Sequence, residues 1–254
     1  MLNKRINFIY GVIGLAVLAV PVWYVIWDMG IRPQSDKGST PPLANLTVVE
    51  DIVNQLDILP NEALIANVPF TSQAPTFDWA DPRQQDACEE VAVLMAAKWV
   101  TGEQIGTAEQ AVADIITLAK LSENMFGTYV DSSAVDTLKM FQKYTGTTNG
   151  TVKYDVTLVD MKSELASGHI LLAPMDGKAL HNPNYTAGGP ERHFLVIIGY
   201  DDNTKMFTTN DSGTRKGKNY RYKYDVLYAA MRDYPTGDHK AIASNVPAMI
   251  IVSK

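Results

Sequence analysis

The 254-residue chain is 46% apolar with a net charge of -6, which is enough to bury a core and excludes disorder throughout. Lys and Arg number 22 against 28 Asp and Glu, and no basic stretch is interleaved with aromatics, so nucleic acid is excluded as a partner. Cys88 is the only cysteine, which excludes an internal disulfide and every zinc site built on two or more thiolates.

From Phe8 to Trp27 no residue is charged, and this run matches the ~20 apolar residues that carry a helix across a bilayer core of ~30 Å. Residues 1–29 therefore read as a cytoplasmic stub and one transmembrane helix. Lys4 and Arg5 precede the run and Asp28 follows it, which predicts an inward N-terminus, an exported remainder and the lipid bilayer as a partner. A cleaved signal peptide is the competing reading, because Val17-Leu18-Ala19 resembles a small-residue cleavage site. The run outlasts the ~7–15 residues of a signal core, which favours a retained anchor.

Residues 30–66 read as a linker, with Arg32-Pro33, Gly38-Ser39-Thr40 and Pro41-Pro42 typical of an extended spacer. Within it Val49, Ile52, Val53 and Leu56 fall at helical intervals, predicting a short amphipathic helix over Leu46 to Leu59. The globular domain is expected over 67–254.

Asp86 and Glu89 have the spacing of a capping box, and the following residues to Val100 place Cys88, Val91, Ala92, Met95 and Trp99 on one helical face before Gly102. Further helices are predicted over Ala108 to Leu121, Ser133 to Tyr144 and Thr157 to Ala166. Strands are predicted over His169 to Met175, His193 to Tyr200 and Lys205 to Asp211, with Asp201-Asp202-Asn203 as a turn rather than a calcium loop. Helices followed by strands indicate an α+β class.

A cysteine in the first turn of a helix faces unpaired amide hydrogens and the positive end of the dipole, both of which favour thiolate. Glu89 and Glu90 oppose this, so a cationic partner is needed, which predicts a Cys88 pKa below the ~8.5 of a free thiol. His193 opens the most apolar strand, where a polar side chain needs a partner. A hairpin pairing Tyr200 with Thr204 sets His193 opposite Asp211, whereas a loop of different length brings Asn210 to that face. His169, His181 and His239 lie in Gly-, Pro-, Asn- or Asp-rich segments with no clustered ligands, so no metal and no cofactor is expected. Phe77 and Trp79, between Gln73 and Cys88, read as cleft lining or as packing.

Val68-Pro69-Phe70-Thr71-Ser72-Gln73, Cys88 at a helix start, Gly189-Pro190-Glu191-Arg192-His193-Phe194-Leu195-Val196-Ile197-Ile198-Gly199-Tyr200-Asp201 and Asn210-Asp211 together resemble the bacteriocin-processing peptidase family. The resemblance implies a papain-like cysteine peptidase fold, with N-terminal helices on a C-terminal antiparallel sheet, and a peptide as substrate. It further implies that Cys88 attacks a carbonyl, that His193 takes and returns the proton, and that Asp211 holds the imidazole. Gln73 and the Cys88 amide would then stabilise the oxyanion. Many relatives follow the cysteine with Gly-Pro, where this chain has Glu89-Glu90. The chain has no ATP-binding motif and no bundle of spans, so cleavage after paired glycines is not carried over. A silent peptide-binding module of the same fold and a cell-wall amidase or endopeptidase are the alternatives.

Overall fold

The computed structural model describes residues 59–242 and 245–254. The expected span, and the expected linker with its amphipathic helix up to residue 58, lie outside the described residues. Among those described, no helix is long and apolar enough to cross a membrane.

Among the described residues, five of six α-helices follow local signals. Asp81 caps α1 (Pro82–Gln85), whose proline occupies the first turn, where a missing N–H costs nothing. Thr107 and Gln110 form a capping box on α3 (Ala108–Phe126), Ser133 caps α4 (Ala134–Thr145), and Thr157 with Asp160 boxes α5 (Leu158–Ala166). Gly102, in the left-handed region at φ 73°, terminates α2 (Cys88–Thr101) as expected. The capping box read at Asp86 is not formed. Asp86 closes α1 instead, and Ala87, with no side-chain hydrogen bond, precedes Cys88.

The antiparallel sheet has the order β2 (Thr151–Tyr154), β7 (Ala248–Val252), β3 (Ile170–Met175), β4 (His193–Asp201), β5 (Met206–Asp211), β6 (Tyr220–Lys223). Strand β1 (Glu62–Leu64) pairs with the far end of β4, so the folded unit takes in residues ahead of the expected boundary at 67. Helix α6 (Tyr224–Ala230) follows β6 directly. Strands β3 and β4 are buried on both faces, which is why they read as continuous aliphatic runs. Phe194, Val196 and Ile198 join the core formed with α2, α3 and α4, while Leu195 and Ile197 join the other, with Met161 and Leu165 of α5 and Leu227 of α6.

The β4–β5 register departs from the expected hairpin. Tyr200 faces Phe207, not Thr204, so a longer turn over residues 202–205 shifts the pairing by three. Left alone, that odd shift would turn Asp211 to the wrong face. A bulge at Ile198 takes up one residue, and Leu195 then pairs with Asp211. The net shift is two, so Asp211 keeps the face of Leu195 and, by alternation, of His193.

Candidate active site

Asp211 is fully buried and accepts five hydrogen bonds. Its Oδ1 receives His193 Nε2 at 2.9 Å and the Gly213 amide at 3.0 Å. Its Oδ2 receives Tyr222 Oη at 2.6 Å, Tyr185 Oη at 2.7 Å and Asn182 Nδ2 at 3.0 Å. Burial pushes the carboxyl up, but the His193 charge and the hydrogen bonds from His193, Tyr222 and Tyr185 outweigh it and hold Asp211 below its ordinary value. Burial, followed by the Asp211 charge, drives both phenols far up, so they remain donors.

His193 is 1% exposed, and the Tyr185 ring stands edge-on to it at 5.5 Å. Gly213 closes the other side, where a Cβ would come within 2.9 Å of His193 Cε1. The imidazole is therefore oriented from three directions, and Nε2 is committed to Asp211. Among the described residues Nδ1 makes no hydrogen bond. Asn210, the alternative orienting residue, lies on the other face, where its Nδ2 donates to the carbonyls of Val68 at 3.3 Å and Pro69 at 3.1 Å. It anchors the segment leading to Gln73.

Gln73 is tethered through its backbone N–H to the Ser212 carbonyl at 3.0 Å, and its side-chain amide donates to the Gln85 carbonyl. Its Oε1 is buried without a partner. Gln73, Trp79, Tyr185, His193, Arg215 and Lys216 are among the residues lining a cavity of 990 Å³. Phe77, read together with Trp79, packs its ring against the Arg215 guanidinium at 4.1 Å.

Cys88 opens α2 and is 8% exposed. Its Sγ donates to Glu89 Oε2 at 3.1 Å, and no hydrogen bond joins it to His193. Burial pushes the thiol well up, with Glu89 the next contributor, which corrects the expectation of a depressed pKa. The dipole argument was outweighed because the first turn is desolvated and carries two carboxyls. Tyr234 ties this turn to the start of β4, its hydroxyl lying 2.7 Å from Glu89 Oε1 and 3.2 Å from the His193 carbonyl oxygen. Among the described residues, no group of three or more His, Cys, Asp or Glu side chains could hold a metal.

Residues 65–236 match the model of the Peptidase_C39-like family. The chain belongs to that family. It is accordingly a cysteine peptidase of the papain-like superfamily. Among solved structures, this C39-like chain is similar to a protein described as a C39-like peptidase from Bacillus anthracis. The two share 13% identity over 76% of this chain and 98% of the other, with a TM-score of 0.42. It is also similar to xylellain, a cysteine protease from Xylella fastidiosa, at 12% identity over 78% of this chain and 88% of the other, with a TM-score of 0.36. No curated protein matches the chain.

Asn182, Tyr185, Tyr222 and Tyr234 escaped the sequence reading. Asn182 and Tyr185 sit in a loop without periodicity, and Tyr234 lies beyond α6. Only Tyr222 carried a signal, as the middle of the alternating aromatics Tyr220, Tyr222 and Tyr224.

Proposed function

We propose that this peptidase hydrolyses a peptide or related amide bond through an acyl-enzyme, with Cys88 as nucleophile, His193 as base and Asp211 as the group that holds the imidazole. The observation that carries this is the buried His193–Asp211 pair, 2.9 Å apart, with His193 on the wall of the cavity that Gln73 also lines. With Nε2 held by Asp211, Nδ1 is the nitrogen left to take the thiol proton as sulfur bonds to the carbonyl carbon. The oxygen then gains charge near the Cys88 amide, which in the first turn has no intrahelical acceptor, and near the Gln73 side chain. His193 returns the proton to the leaving amine, and water hydrolyses the thioester.

An activity-based thiol probe applied to the full chain should label Cys88, and Cys88→Ser should abolish both labelling and hydrolysis. Gln73→Ala should slow turnover about a hundredfold while leaving Cys88 accessible to the probe, the loss expected for one oxyanion donor. Hydrolysis that survives Cys88→Ser would overturn the reading. Labelling without any hydrolysis would favour a silent peptide-binding module.

The uncharged run Phe8 to Trp27, with Lys4 and Arg5 before it, supports a single-pass anchor with the peptidase domain outside the cytoplasm. Protease added to intact spheroplasts should then digest the domain. Its protection would refute this topology, and a mature N-terminus near Val20 would replace the anchor with a signal peptide.

A further inference from the structure

The side chain in direct contact with the nucleophile is not the histidine but Glu89. Its Oε2 accepts the Cys88 thiol at 3.1 Å, and its Oε1 accepts Tyr234 Oη at 2.7 Å and the Ser132 amide at 3.2 Å. Burial of this side chain, 1% exposed, raises its carboxyl, but three donors converging on both oxygens oppose that rise and fit the acceptor-only carboxylate. Glu90, the next residue, is also 1% exposed, yet neither of its oxygens has a partner. A bare buried carboxyl of this kind stays protonated.

We infer that Glu89 is a further catalytic residue, an acceptor that holds the resting Cys88 as a hydrogen-bonded thiol until a substrate draws the sulfur over to His193. The inference rests on the reading of Cys88 as nucleophile and adds a member to its proton circuit. In the resting site the proton stays on sulfur, shared with Glu89 Oε2. On attack it passes to His193, sulfur bonds to the carbonyl carbon, and Glu89 keeps its charge throughout. The lone thiol is thereby less reactive in the empty site, because the thiolate is the nucleophilic form.

Other groups around the thiol leave Glu89 as the dominant one. Glu90 on the same helix is neutral, Asp131 before α4 is paired with Arg192 at 3.4 Å and His239 at 3.0 Å, Asp86 lies at the end of α1, and Tyr234 is a phenol driven far up by burial. On β4, His193 is turned to Asp211.

The test is the pH dependence of Cys88 alkylation by iodoacetamide on the full chain, read by mass and therefore independent of any peptide substrate. Glu89→Gln keeps the shape and an oxygen for Tyr234 but removes the charge. Its alkylation midpoint should fall by at least about one pH unit, with a rate at neutral pH raised about tenfold. Tyr234→Phe removes a donor that steadies the carboxylate and should move the midpoint in the same direction by less. Glu90→Gln should leave it in place. An unchanged midpoint in Glu89→Gln, or in Tyr234→Phe should Glu89→Gln not fold, overturns the inference. A shift of equal size in Glu90→Gln does so too, since diffuse charge rather than this contact would then govern the thiol. Absence of peptide hydrolysis in every protein, with the alkylation pattern intact, would instead count against the peptidase reading alone.

Discussion

Glu89 and Glu90 are adjacent and equally buried, and burial raises both carboxyls, but only at Glu89 do side-chain donors, Tyr234 and Cys88, oppose the rise. Desolvation, and after it the charge of Glu89, lifts the Glu90 carboxyl well above its ordinary value, outweighing the opposing effect of its own backbone amide. The consequence for stability has a definite sign. Between the unfolded value of ~4.3 and the higher folded value, the native protein holds a proton on Glu90 that the unfolded chain has released. The contribution of Glu90 is therefore complete below pH ~4.3 and declines as pH rises toward the folded value, by ~1.36 kcal/mol for each unit of displacement. Asp211 runs the other way, since its depressed value makes its contribution present above ~3.9 and lost as pH falls through the folded value. That term is common to wild type and a Glu90 variant and cancels in their difference. Glu90→Gln, which does not titrate, should thus gain stability relative to wild type between pH 4 and pH 8, as measured by denaturant titration at several pH values. A difference that stays constant across that range would show that Glu90 is ionised in the native state.

At the scale of elements, the parts legible in the sequence were those with local punctuation. Three helices were legible close to where Thr107, Ser133 and Thr157 cap them, and Gly102 ended a fourth, because a cap is a hydrogen bond between near neighbours. Strands β3 and β4 were legible because burial demanded unbroken apolar runs, and β5 because it follows the turn residues Asp201, Asp202 and Asn203. Strands β1, β2, β6 and β7 were not read: the first three are only three or four residues long and largely exposed or half-buried, and β7 is known as a strand only from its partners β2 and β3. The candidate site divides along the same line. Gln73, Cys88, His193 and Asp211 stood out by residue type and order, whereas Asn182, Tyr185 and Tyr222 reach Asp211 across 29, 26 and 11 residues of chain. The register between β4 and β5 shows why even a sound local reading needs the fold. The turn was longer than expected, and Asp211 meets His193 because the Ile198 bulge restores the parity that the turn had broken. Gly199, next in the strand, is needed there because a Cβ would lie 2.4 Å from the Ala63 carbonyl oxygen of β1. The bulge and the crossing of β1 are parts of one arrangement at the far end of β4.

The distribution of charge over the whole molecule opposes its net charge at one place. The chain carries -6, and Glu89, Glu90 and Asp86 gather around the first turn of α2, yet among the described residues the cavity is lined by Arg215 and Lys216 and by no carboxylate. Stacking on Phe77 steadies Arg215 at that rim. A peptide entering the cavity therefore meets local positive charge within a weakly anionic protein, and at physiological ionic strength the local groups dominate because screening acts over ~8 Å. Two fluorogenic peptides that differ only in Asp or Lys beside the scissile bond should be distinguished, with the lower KM for the Asp peptide. Lys216→Glu should raise KM for the Asp peptide and lower it for the Lys peptide, each by about two- to fivefold, the range of an exposed ion pair worth up to ~1 kcal/mol. Turnover should change little, since Lys216 lies beyond the groups that handle the proton. Added salt should narrow the contrast. Equal KM values for both peptides before and after the substitution would mean that the cationic rim faces solvent rather than substrate.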